Sequence, residues 1–160
     1  MSSPADALCP LGDDVGARQT IVVGLDGTDE SQRALAYAIG VARRSGGRIV
    51  CAFVSDPSSA ALGLGPQLGC IAYELIDQAA QATGVEITSL VAAASAAAPD
   101  VTFEMFRLRG EPADTLGRFA DEVMADQVII GAPRHPKGHL FSSVSRGLHR
   151  RPHWPITIVP

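Results

Sequence analysis

The chain has 160 residues, 46% hydrophobic and 19% charged, the profile of one soluble globular core rather than of a disordered chain. A formal net charge of −4 argues against a general binder of nucleic acid or of anionic membranes. The three cysteines form no CxxC pair, no stretch approaches the ~18 apolar residues of a membrane span, and the N-terminus lacks a signal peptide's basic start and apolar run, so a cytoplasmic location is expected.

Residues 1–18 are polar and rich in Pro, Gly and Asp, which predicts a flexible leader ahead of one domain over 19–160. Thr20 to Asp26 is a continuous apolar run ended by Asp-Gly, the pattern of a strand buried on both faces. Asp29 is placed to cap the next helix, with Gln32 completing a capping box. Leu35, Ala38, Ile39 and Ala42 form one helical stripe, and Ser45-Gly46-Gly47 ends it. Arg48–Val54 is a second apolar strand, followed by a long loop from Ser55 to about Gly69. Helix formers run from Ile71 to Ala98, with Ile71, Leu75, Leu90, Val91 and Ala94 as the expected apolar face and Gly84 as a weak point.

Val101–Leu108 alternates at first, which predicts a strand at or near a sheet edge. Gly110-Glu-Pro112 opens a helix with proline in its first turn, and Leu116, Phe119, Ala120 and Val123 give its buried stripe. Gln127–Gly131 is a third fully apolar strand. After a basic Gly/Pro loop, a short helix over Ser142–Leu148 and a last strand over Pro155–Val159 are expected. Strands alternating with helices imply right-handed crossovers, so the fold class is α/β, a single doubly wound five-stranded parallel sheet with helices on both faces.

Ligands of such sheets bind beyond the strand carboxyl ends. Two turns compete for that place, Asp26-Gly27-Thr28 and Gly131-Ala-Pro-Arg134. Residues 131–160 carry Arg134, Lys137, Arg146, Arg150 and Arg151 and no acid, which suggests a local anion site; a solvated basic face is the alternative. Ser142, Ser143 and Ser145 would add hydroxyls to a phosphate cradle, with helix capping as the plainer role for Ser143 and Ser145. There is no P-loop, no G-x-G-x-x-G after the first strand and no G-x-S-x-G elbow. The pairs His135/His139 and His149/His153 lack a neighbouring carboxylate or thiol in sequence, so neither a metal site nor a catalytic residue is assigned. Cys51 reads as a core residue and Cys70 as a more reactive one. Trp154 is read as packing, at a dimer interface or elsewhere.

Ile21–Ser31 with Ala34-Leu35, then Gly110-Glu-Pro112, Val128–Gly131, Ser143-Val-Ser145 and Pro155–Val159 together resemble the universal stress protein family, in matching order over about residues 19–160. That resemblance implies strand order 3-2-1-4-5, homodimers paired through the last strand, and a stress or regulatory role. It also implies binding of ATP or AMP through G-x2-G-x9-G-[S/T] after the fourth strand. Here Gly131 matches the first glycine, the second falls on Arg134 with Gly138 nearby, and Ser142 takes the third position. Gly131 to Ser142 spans 11 positions where the motif needs 13. Asp26 and Val54 match the positions beside ribose and base, and Ser143, Val144 and Ser145 match the motif's end. The base end of the implied site is intact and its phosphate loop is altered.

A nucleotide-free dimeric interaction module of the same family and a nucleotide hydrolase are the alternatives. Hydrolysis would need a metal-anchoring acid and a base near the phosphates, for which only Asp26 and the more distant His135 stand in sequence.

Overall fold

The computed structural model describes residues 18–57, 65–133, 143–150 and 153–160. Its elements run β1 (Thr20–Leu25), α1 (Asp29–Ser45), β2 (Arg48–Ser55), α2 (Gly65–Ala97), β3 (Thr102–Arg109), α3 (Pro112–Glu122), β4 (Gln127–Gly131), α4 (Ser143–Leu148) and β5 (Ile156–Val159). All pairings are parallel, in the order β3-β2-β1-β4-β5. The three apolar strands are the three central ones, as their lack of alternation demands.

Alternate residues of those strands feed two cores. Ile21, Val23, Leu25, Ile49, Cys51, Phe53 and Ile129 pack under α1 and α2. Val22, Val50, Ala52, Val128 and Ile130 pack under α3, α4 and Trp154. The parallel register that sets Val22 beside both Val50 and Val128 keeps each set on its own face.

Helix α1 is capped one residue earlier than expected. Thr28, with φ −81° and ψ 159°, is the N-cap, and its hydroxyl accepts from the Ser31 amide at 3.2 Å. Asp29 instead lies in the first turn with Glu30, where both favour the helix dipole. Gly46 closes the helix at φ 68°, as its sequence position requires. In α3, Glu111 is the cap and accepts from the Asp114 amide at 2.7 Å ahead of Pro112.

Helix α2 departs further from expectation. It begins at Gly65, so the last part of the expected 55–69 loop is helical; residues 58–64 lie outside the described residues. Gly65 has φ +74° and Pro66 follows it in the first turn, a helix-opening pair rather than loop. Gly84 does not interrupt the helix; a Cβ there would lie 3.1 Å from Arg107 Cζ and 3.3 Å from Phe53, so glycine lets α2 approach the sheet. Ile87, Val91 and Ala98 are buried, with Leu90 and Ala94 packed beside them, whereas Ile71 and Leu75 point to solvent. The helix turns its later half to the core and leaves those two outside.

The sheet edges differ. β3 is wet, as its alternation predicts, and carries charged side chains: Arg48 Nη1 to Glu104 at 2.8 Å, Arg107 to the Thr88 hydroxyl at 3.0 Å, and Arg109 to Asp77. β5 is four half-buried residues, Ile-Thr-Ile-Val. No helix among the described residues is long and apolar enough to cross a membrane.

Candidate functional site

The strand order puts the carboxyl ends of β1 and β4 side by side, and a crevice of about 420 Å³ opens above them. Its walls are mostly apolar. Ala52 and Val54 come from β2, Leu116 from α3, Ile130 from β4 and Val144 from α4, with Leu25 and Pro133 completing the lining. Gly24 keeps the floor low: a Cβ there would meet Ile130 Cγ2 and Leu116 Cδ2, each at 3.1 Å.

The polar rim is built by the β1–α1 turn. Asp26 Oδ1 accepts from the Thr28 amide at 3.0 Å and from its hydroxyl at 2.5 Å. The Asp26 amide faces the Ser31 hydroxyl at 3.4 Å, and that hydroxyl donates to the Thr28 carbonyl at 2.9 Å. These contacts hold the exposed carboxylate in place, and Oδ2 has no partner among the described residues. Thr28 and Ser31 also line the crevice, so the cap of α1 is part of the site.

Gly131 has a structural reason to be glycine. A Cβ there would fall 2.6 Å from the Glu30 carbonyl carbon and 2.7 Å from the Ser31 amide nitrogen. Both are backbone atoms, so the end of β4 and the first turn of α1 touch with no side chain between them.

Of the expected site residues, the structure brings Asp26, Val54, Gly131 and Val144 to one crevice. Ser145 is fully buried with a hydrogen-bonding partner of its own and does not line the crevice. Ser143 opens α4, while Arg134, Gly138 and Ser142, with Lys137, His135 and His139, lie outside the described residues. Sequence reasoning missed Ala52, Leu116 and Pro112 as lining residues; Ala52 lies inside β2 and carried no signal, and the other two stood out only as residues of α3's first turns.

Away from the crevice, one open reading is narrowed and one expectation is corrected. Trp154 is buried within the subunit, and its indole N–H donates to Asp121 Oδ1 at 3.0 Å. His153 does have a carboxylate beside it, Asp121 at 3.2 Å, brought from α3 by the fold. Among the described residues, no three His, Cys, Asp or Glu side chains gather as metal ligands. Cys51 is buried as expected, and desolvation pushes its thiol up to about 12.

The model of the Universal stress protein family matches residues 17–160. No curated protein matches the sequence. Among solved structures, the universal stress protein UspA from Lactobacillus plantarum is 21% identical, with TM-score 0.76, over 91% of this chain and 100% of that one. A universal stress protein in complex with cAMP is 28% identical, with TM-score 0.55, over 91% and 98%. The universal stress protein from Archaeoglobus fulgidus in complex with dAMP is 22% identical, with TM-score 0.56, over 89% and 98%.

Proposed function

The chain belongs to the universal stress protein family, and from that premise we propose that it is a cytoplasmic stress-response regulator whose crevice holds an adenine nucleotide. The observation that carries this reading is the crevice itself: apolar walls sized for a nucleoside, with one fixed carboxylate at the rim. The base lies against Val54, Leu116 and Val144, and Asp26 Oδ2 accepts from ribose hydroxyls. The relative that is 28% identical and carries cAMP supports the same class of ligand.

Binding is weak and tolerant of phosphate number. Arg134 and Ser142 replace glycines of the phosphate loop, and side chains there impede close backbone approach to phosphate. The subunit works as a homodimer through β5, whose apolar edge would otherwise stay open. Binding rather than turnover is its role, supported by an Asp26 already engaged by Thr28 instead of offering both oxygens to a metal.

Calorimetry with AMP, cAMP, ADP and ATP tests the proposal. Dissociation constants within roughly tenfold of one another are expected. Tight binding of ATP alone would refute the tolerance, sustained phosphate release would favour the hydrolase, and no binding at millimolar nucleotide would favour the interaction module.

A further inference from the structure

Helix α2 has two apolar faces, and among the described residues only one is covered. Ala80, Ile87, Leu90, Val91 and Ala94 lie on the sheet. On the opposite side Leu68, Ile71, Leu75 and Val85 are 63%, 57%, 62% and 57% exposed, with Ala79 and Ala82 exposed between them. A helix apolar all round belongs in an interior, and among the described residues this outer stripe has no partner within the subunit.

The stripe has an order of its own. Leu68, Ile71, Leu75, Gln78, Ala82 and Val85 follow one another at alternating steps of three and four, the seam of a coiled coil. That series is also symmetric about a point between Ile76 and Asp77. When a second α2 lies antiparallel across it, Leu68 meets Val85, Ile71 meets Ala82 and Leu75 meets Gln78 with Ala79 beside it. Bulky residues of one helix face smaller ones of the other, so the two seams interdigitate.

Charge agrees with this pairing. The only charged residues of α2 are Glu74, Asp77 and Glu86, and Asp77 is engaged by Arg109 on the inner side. In the antiparallel register Glu74 faces Gln81 of the second copy, so no acid opposes an acid. Glu86 faces the second copy's helix start at Gly65, where an anion is favoured by the dipole. The exposed stripe offers roughly 500 Å² on each copy, about 1,000 Å² in all, which stands at the lower limit for a biological interface.

We propose that the outer face of α2 is a two-fold interface that pairs antiparallel with a second copy of this chain, separately from any pairing through β5. The contact is isologous and closes on itself.

The full chain tests it in two ways. Leu75→Glu changes a residue already in solvent, so folding is retained, and it should weaken self-association in sedimentation by roughly a hundredfold. Nitroxide labels on a chain with Cys9→Ser and Cys70→Ser then read the register. Labels at position 78 should lie close to their mates, and the separation should grow by about 3 Å for each residue moved towards position 89. Pairing through β5 alone would be indifferent to Leu75→Glu and would show no such gradient. Unchanged association in Leu75→Glu, or labels at 78 no closer than labels at 89, overturns the proposal.

Discussion

The crevice above β1 and β4 and the outer face of α2 are both apolar and both left uncovered by the described residues, but they differ in curvature and in what stands at the rim. The crevice is concave, lined from six elements, and edged by a carboxylate locked in a turn. The stripe is convex, built from one helix about 50 Å long, and flanked by two glutamates of that same helix. Concavity lets a small molecule be surrounded, while a ridge is covered only by a complementary ridge and groove. The same chemical character therefore points to different partners.

Variants that touch one surface and leave the other intact test this contrast. The largest effect belongs to Gly131→Ala, which acts where the crevice wall meets the first turn of α1. A methyl group 2.6–2.8 Å from three backbone atoms of Glu30 and Ser31 must push β4 and α1 apart. A loss of roughly 3 kcal/mol is expected, seen as a melting temperature lower by about 6–12 °C. An unchanged melting curve would show that the wall gives way freely, and the crevice would no longer count as preformed.

Val54→Phe comes next and is the cleaner separation. Val54 is half-buried at the crevice, so the ring enters space meant for a ligand rather than the packed core. Nucleotide affinity in calorimetry should fall at least about tenfold, equivalent to ~1.4 kcal/mol, while sedimentation stays that of the wild type. A coupled change in both would mean that the two surfaces are not independent.

Thr28→Ala has a smaller effect, about 1 kcal/mol in denaturant titration, because it removes the α1 cap. It also removes one of the two hydrogen bonds that hold Asp26 Oδ1, so nucleotide affinity should drop modestly through a looser carboxylate. Equal affinity in the variant would remove Asp26 orientation from the site's design.

The smallest effect is felt only in alkali and concerns the sheet between the surfaces. Burial raises the Cys51 thiol to about 12, above its value in the unfolded chain. Between about pH 9 and 12 the unfolded chain releases that proton and the folded chain retains it, so stability declines as pH rises. Cys51→Ala should flatten that decline, and iodoacetamide should modify the exposed Cys70 well before Cys51 in the folded chain. Rapid labelling of Cys51 would mean that the core opens readily.

Much of this molecule is legible in its sequence, and the exceptions share a cause. Strands with no polar interruption have to be central, and the alternating Val101–Leu108 segment has to lie outside. Asp26 is legible as a crevice residue because it follows the first apolar strand, whereas Val54 is reached in sequence only through the family resemblance. Periodicity assigns Ile71 and Leu75 to the core because it finds a stripe without saying which body covers it. Trp154 and His153 cannot be placed from sequence, since their partner Asp121 is about thirty residues away and comes near only in the folded chain. Gly131 matches a phosphate-loop position by sequence, yet its contact with Glu30 and Ser31 is enough to require glycine there without any ligand.

The charged edge of β3 has a consequence for assembly. Arg107 and Arg109 are drawn towards α2, and Glu104 is bridged back to Arg48, so charged groups flank the outermost strand along its length. An approaching strand would have to displace or desolvate these groups before its backbone could bond. β5 carries no charge at all. In strand addition the subunit thus behaves as a monomer with one reactive end and one blocked end. Through strand addition alone, two such units could make a pair, and no number of them could build a continuous sheet.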